Sequence, residues 1–413
     1  MSVDAVEYDP FSTDVMTNPY PIYDALRARY RTYRIDAYDA YALPRFDDVW
    51  QVLSDREHFS IVEGPVFHRE RLLRGNDGPP DTSLHRPVPS FSMLDPPHHT
   101  RLRQAMIDPF RPGAVAGLGD AVRALATARL DEVSARGTFD VRHDYASPVS
   151  AAVAAQLVGL PPDEGVELVT LVNRYVRREP GQAGFSEHGT AARVEIDERL
   201  RAFVADRRRR PAREPGDIID GLVACRVADG PLDDQEIVDQ LVTLFIGGTE
   251  TLPKVMAAGA YELWRHPDQR AALAADPARI PNAFEEILRH DLPLQFVGRT
   301  LLADADIAGQ PMRAGQRVVL LLISANRDER EFEDPDRFDA DRRMERHLGL
   351  GHGAHFCIGA HVARLEGVVM MRELLDRFPE YDVDDSALER EASEFQVGWA
   401  EMPIRTGSPR GPR

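Results

Sequence analysis

The sequence predicts a mainly α-helical domain with small β-sheets, and three observations carry that reading. Apolar residues recur every three or four positions along most of the 413-residue chain, the period of a helix with one buried face. Runs of β-branched and aromatic residues are short and scattered, so strands can build only minor sheets. No internal repeat or low-complexity linker divides the chain, so residues 1–413 are expected to form one domain, with 1–18 and 406–413 as loose tails.

The elements follow in order. Residues 21–30 are the expected opening helix, with Pro21 in the first turn, where its missing N–H is not needed. Short strands are expected at Tyr33–Ile35 and Ala40–Leu43, then a helix over 47–54. From 58 to 97 the chain is rich in Gly, Pro and Arg with weak periodicity. A stretch that long inside a domain is usually functional, and it reads as a segment covering a substrate. Helical spacing resumes at 100–108, 115–136, 150–158, 163–176 and 190–209. The last ends in the run Arg207 to Arg210, whose cations suit a solvated helix C-terminus. Residues 235–265 form a long helical pattern interrupted by Gly247, Gly248 and Pro253. Further helices are expected at Pro267–Ala275, 282–289 and 360–378, with a strand at 318–323.

Composition excludes several functions. A net charge of −18 argues against a nucleic-acid grip, because phosphates need a basic face. There are only two cysteines, Cys225 and Cys357, so no disulfide framework exists and a reducing cytoplasm is expected. The start of the chain is acidic, without the apolar run of a signal peptide, and no window reaches about eighteen uninterrupted apolar residues, so no membrane span is expected. Lys254 is the only lysine, every other basic residue besides histidine being arginine; composition by itself gives it no role.

The chemistry starts at a cysteine. Residues 348–359, Leu-Gly-Leu-Gly-His-Gly-Ala-His-Phe-Cys-Ile-Gly, form a glycine-dense loop delivering Cys357 to the start of an amphipathic helix. Glycines let a backbone approach a flat ligand and turn N–H groups toward sulfur. The helix start places partial positive charge beside the thiol, which is expected to lower its pKa and favour metal ligation.

This loop resembles the haem-binding signature of the cytochrome P-450 family, aromatic-x-x-Gly-x-His/Arg-x-Cys-x-Gly, with Gly353, His355, Cys357 and Gly359 at the matching places and Ala363-Arg364 continuing it. Leu350 stands where the family usually has phenylalanine. Further segments match in the family's order. Glu286 and Arg289, three apart and so on one helix face, resemble its buried ion pair, and Arg337 of the 335–338 stretch Pro-Asp-Arg-Phe is the implied third member. Residues 247–251, Gly-Gly-Thr-Glu-Thr, resemble its oxygen-activation motif, which implies Glu250 as proton relay and Thr251 as a hydrogen-bond partner of the iron-bound peroxide; Pro253 is unusual there. His99 and Arg103 match a His-x-x-x-Arg pair that grips one haem carboxylate, and Arg299 and His355 match the remaining contacts. The turn 326–328, Asn-Arg-Asp, fits as well.

The resemblance runs from about Pro19 to Arg405 and implies the family's single triangular haem-binding domain, with heme b ligated by Cys357 and lined by Gly351 and Gly359. It implies a monooxygenase that inserts one oxygen atom of dioxygen into a small, largely apolar substrate. No Gly-x-Gly-x-x-Gly opens a strand–helix unit, so electrons are expected from an external ferredoxin and ferredoxin reductase, docking near Arg101, Arg111, Arg346 and Arg364. Substrate contacts are expected from residues 58–97 and 166–189, from Gly247 and Gly248, from Leu294, Phe296 and Val297, and from Gln396 and Val397. Two other classes compete: a haem-thiolate enzyme performing oxidative coupling or peroxide-driven oxidation, and a non-catalytic haem sensor. The acid–alcohol pair Glu250/Thr251 speaks for dioxygen activation.

Overall fold

The computed structural model describes residues 6–177, 185–211, 216–227 and 230–407. Its axis is one helix, Asp234–Arg265, begun by a reciprocal cap: Asp233 accepts from the Glu236 N–H at 2.8 Å and Glu236 accepts from the Asp233 N–H at 2.9 Å. From Leu252 to Ala260 every residue of this helix is buried, so it is a core element rather than a surface one. The expected interruption at Gly247, Gly248 and Pro253 does not break it. Packing on helices Ser147–Val158 and Glu187–Arg208 supplies what local propensity lacks. The hydroxyls of Thr249 and Thr251 turn back onto the carbonyls of Phe245 and Gly247, both at 2.7 Å.

The cysteine's helix, Ala360–Arg377, packs on Ile280–His290, and Gly367 makes the approach possible: a Cβ there would meet Phe284 at 2.1 Å. A second apolar core surrounds a five-stranded sheet ordered Tyr33–Ile35, Ala40–Leu43, Arg317–Leu321, Phe296–Leu301, Phe59–Ser60. Arg317–Leu321 runs parallel to Ala40–Leu43 and antiparallel to Phe296–Leu301, with Val318 opposite Arg299 and Leu320 opposite Val297. Alternate residues of a strand face opposite sides, so Val297 and Arg299 share one face while Phe296 and Gly298 share the other. A separate three-stranded antiparallel sheet is ordered Tyr381–Val383, Pro403–Thr406, Thr138–Asp140.

Four expectations need correction. The 115–136 helix is two, Pro112–Ala116 and Gly119–Ser134. The 318–323 strand stops at Leu321 and turns into a short helix, Leu322–Ala325. Of the presumed loose start, residues 6–18 contain the helix Thr13–Thr17, with Val15 buried and the Met16 carbonyl accepting from the Ser393 N–H at 3.3 Å; residues 1–5, like 408–413 and 178–184, lie outside the described residues. In the Arg207 to Arg210 run, Arg207 is buried rather than solvated, held by Asp217 at 2.8 Å and Asp220 at 3.0 Å.

Candidate active site

The loop before Cys357 is shaped by backbone geometry. Gly351 and Gly353 both sit at φ +72°, a left-handed conformation that side chains resist, and a Cβ on Gly353 would strike the Leu53 carbonyl at 2.2 Å. The Cys357 N–H donates to the Leu350 carbonyl at 2.9 Å, closing the loop under the sulfur. Cys357 counts as exposed only because its side chain opens onto an internal cavity. Burial pushes its thiol pKa up, opposed by the Gly359 N–H and by Arg103 and Arg364. The lowered thiol expected from the helix start is therefore overruled by desolvation, and it is a coordinated metal cation that deprotonates such a thiol outright.

Two carboxylates fix this loop to the helix Ile280–His290. Glu286, fully buried, takes Arg289 in a two-pronged pair at 2.7 and 2.8 Å and Arg342 at 3.0 Å. Arg289 also donates to the carbonyls of Asn326 and Pro335 at 2.8 and 2.9 Å, and the Asn326 side chain accepts from the Leu348 N–H at 2.7 Å. The third member is thus Arg342, not Arg337. The 335–338 turn offers its backbone inward, which sends the Arg337 side chain to the surface, 65% exposed and paired with Asp339. Glu285 is a second tie that sequence reasoning missed. Although burial alone would raise its pKa, hydrogen bonds and charge from Arg364 and His347 hold it down at about 2.

The cavity measures about 410 Å³ and is mostly apolar. Its wall includes Gly247, Gly248, Thr251, Leu294, Val297, Arg103, Arg299, His355, Gly351 and Gly359 with Cys357. The buried His99 sits behind it, its ring 4.1 Å from that of His355. Phe296, Gln396 and Val397, expected in the pocket, are buried off this wall; for Phe296 the strand's alternation is the reason. Basic groups crowd one side. Burial and then mutual repulsion depress His99 to about 4 and His355 to about 2, and burial lowers Arg299 to about 10 despite Asp95. His99 Nε2 has no partner among the described residues. Arg103 and Arg299 are buried cations without sufficient anions, and His99 and His355 beside them are held neutral with ring N–H groups to donate; two carboxylate arms would satisfy both kinds of group, so the donor set fits haem.

Glu250 is not on the cavity wall. Consecutive helical residues point about 100° apart, and while Thr251 faces the cavity, Glu250 faces a closed cluster of four charges. Its carboxylate lies 3.3 Å from Lys254 Nζ and 3.9 Å from Arg142; Glu391 takes Lys254 and Arg142, each at 3.1 Å, and Lys254 also donates to Gln396. The chain's one lysine is thus 1% exposed and one helical turn beyond the expected proton relay. Its uniqueness was the available signal, but only packing shows its use. Lys254→Met is expected to destabilise the protein by about 3 kcal/mol, since it leaves the buried Glu250 and the part-buried Glu391 to one arginine. Adding Glu391→Gln should restore most of the loss in urea titrations; a double variant no better than the single would refute the four-charge balance.

Glu366, on the cavity wall nine residues past the cysteine, was also missed. Burial pushes its carboxyl from 4.5 up to about 8, with only Ser150 opposing. The native state therefore prefers the protonated acid, and stability present below pH 4.5 is lost as pH climbs toward 8. Glu366→Gln should match the parent near pH 4.5 and exceed it near pH 8 by on the order of 3 kcal/mol. Equal stabilities at both pH values would contradict this.

Of the expected docking arginines, Arg364 is taken by Glu285 and Arg346 by Glu331 at 2.7 Å while lying over the Phe46 and Trp50 rings. Arg111 pairs with Asp108, and Arg101 is exposed with no ion pair among the described residues.

A helical fold that closes an apolar cavity over one cysteine sulfur, with cations gathered for an acidic cofactor, is the design of a haem-thiolate protein. The comparisons agree. The cytochrome P-450 family model matches residues 279–404. The chain is 32% identical to cytochrome P-450 CYP199A2 of Rhodopseudomonas palustris over 96% of this chain and 93% of that one. It is 32% identical to nocardicin C N-oxygenase of Nocardia uniformis over 90% of each. Among solved structures, a mutant of P-450 EryK in complex with erythromycin B superposes with a TM-score of 0.82 at 28% identity, covering 96% of this chain and 99% of that one. The chain belongs to the cytochrome P-450 family, and it is a haem-dependent oxidoreductase. No helix among the described residues is long and apolar enough to cross a membrane.

Proposed function

We propose that this enzyme inserts one atom of dioxygen into a small, largely apolar organic substrate, using heme b and electrons from an external ferredoxin and ferredoxin reductase. The observation that carries this reading is the apolar cavity whose wall holds both Cys357 and Thr251. Bound haem supplies the oxygen activation, which a thiolate ligand favours. Cys357 would anchor it, Arg103 and Arg299 would neutralise its carboxylates, and His99 and His355 would donate ring N–H hydrogen bonds to them. Thr251 gives its proton to the Gly247 carbonyl and so keeps an oxygen lone pair for a hydrogen bond at the cavity. Glu250 has to leave Lys254 before it can pass a proton inward. The whole span 1–413 acts as one domain, in the cytoplasm.

One observation favours a second reading, peroxide-driven oxidation or oxidative coupling: Glu250 is turned away from the cavity. Turnover with peroxide alone, set against ferredoxin, reductase and NAD(P)H, separates the two. For the haem-thiolate assignment itself, the reduced, carbon monoxide-treated protein should absorb near the wavelength typical of thiolate-ligated haem. A histidine-type spectrum, or colourless protein, would defeat the proposal.

A further inference from the structure

Ser92 faces the cavity from a segment that the long helix holds in place. Glu236, Gln240 and Thr243 stand at i, i+4 and i+7 of that helix, hence on one face. Glu236 accepts from the Val88 N–H at 2.7 Å. Gln240 accepts from the Phe91 N–H at 2.7 Å and donates to the Pro89 carbonyl at 3.1 Å. The hydroxyls of Thr243 and Ser90 lie 2.7 Å apart. The same face continues through Gly247 to Thr251, so one helix positions both Ser92 and the threonine at the reacting end.

The protons of this hydroxyl chain can be assigned. The Asp239 carbonyl can only accept, so Thr243 donates to it at 3.0 Å. Thr243's oxygen must then accept from Ser90. Ser90's oxygen receives the Ser92 N–H at 3.4 Å and lies 3.1 Å from the Ser92 hydroxyl, which donates to it in turn. Ser92 thus spends its proton inward and presents lone pairs to a mostly apolar wall. Behind this end the carboxylates Glu236 and Asp239 are each paired, Glu236 with Arg86 and Asp239 with Arg193 at 2.5 Å, and Arg193 also holds Asp197 at 2.8 Å, so both arginines are committed to the protein's own carboxylates rather than to a substrate's.

We propose that Ser92 is the polar anchor for the substrate: it accepts from a neutral hydroxyl or N–H group and disfavours carboxylates. The span from this donor to the carbon that reacts is about 12 Å, the rise of the eight residues from Thr243 to Thr251. The inference rests on the monooxygenase reading above and names its substrate class.

Four matched probes test it by calorimetric titration of the holoenzyme: 4-hexylphenol, 4-hexylanisole, 4-hexylbenzoate and hexylbenzene. The phenol should bind tightest, and Ser92→Ala should weaken it about 5- to 10-fold while hexylbenzene shifts by less than about twofold. Thr243→Val, which frees Ser90 to turn, should weaken the phenol in the same direction by less. Anisole or benzoate binding as tightly as the phenol overturns the proposal, and so does an equal loss for phenol and hexylbenzene in Ser92→Ala. Such a result from protein with the thiolate-type carbon monoxide spectrum removes the anchor alone; a missing spectrum instead removes the reading beneath it.

Discussion

Cys357→Ser should lose cofactor affinity by more than about 100-fold, since changes to groups merely outside a metal's ligands already cost 10- to 100-fold. Activity and the thiolate-type spectrum should disappear together. The fold should survive, because the loop is closed by the backbone bond from Cys357 N–H to Leu350 and shaped by Gly351 and Gly353, none of which needs sulfur. Stability of the cofactor-free variant should therefore stay within about 1 kcal/mol of the cofactor-free parent. Circular dichroism, melting and bound-haem content separate the outcomes: a serine variant that keeps colour and turnover would end the haem-thiolate assignment, and one that fails to fold would end the claim that the loop is self-supporting.

The second large effect is expected at Glu286. Glu286→Gln keeps the shape but leaves Arg289 and Arg342 facing a neutral partner in a fully buried site, which should cost about 3–5 kcal/mol. Because Arg289 also holds the Asn326 carbonyl, and Asn326 holds the Leu348 N–H, haem retention should fall with stability. Arg337→Ala, by contrast, removes an exposed surface pair and should stay within about 0.5 kcal/mol of the parent, while Arg342→Ala should approach the Glu286 loss. Urea titrations decide it. If Arg337→Ala proves the damaging change and Arg342→Ala the silent one, the triad drawn from the structure is wrong.

These two cases show what kind of information the sequence carries. Glu286 and Arg289 were legible because a spacing of three on a helix fixes a shared face whatever surrounds it. Arg342 was not, because its partner lies far away in sequence and the reach depends on how the 335–342 turn is folded. Val297 and Arg299 could be paired by alternation once the strand was known, yet 296–301 carries too little pattern to announce a strand. The Glu250/Thr251 pair was readable as chemistry. That Glu250 faces Lys254 and Arg142 instead of the cavity was not, since the elements bearing Arg142 and Glu391 meet the long helix only after folding.

By itself, then, the sequence determined the helical character and the cysteine loop with its obligatory glycines, and it named the residues proposed to meet a haem. These are local properties: periodicity, backbone permissiveness and side-chain chemistry within a few residues. Tertiary structure alone decided which arginine completes the triad, that burial outweighs the helix start at Cys357, where the lone lysine goes, and which serine faces the cavity. Each of these depends on burial and on partners distant along the chain, and desolvation is a property of the packed molecule that no stretch of sequence possesses.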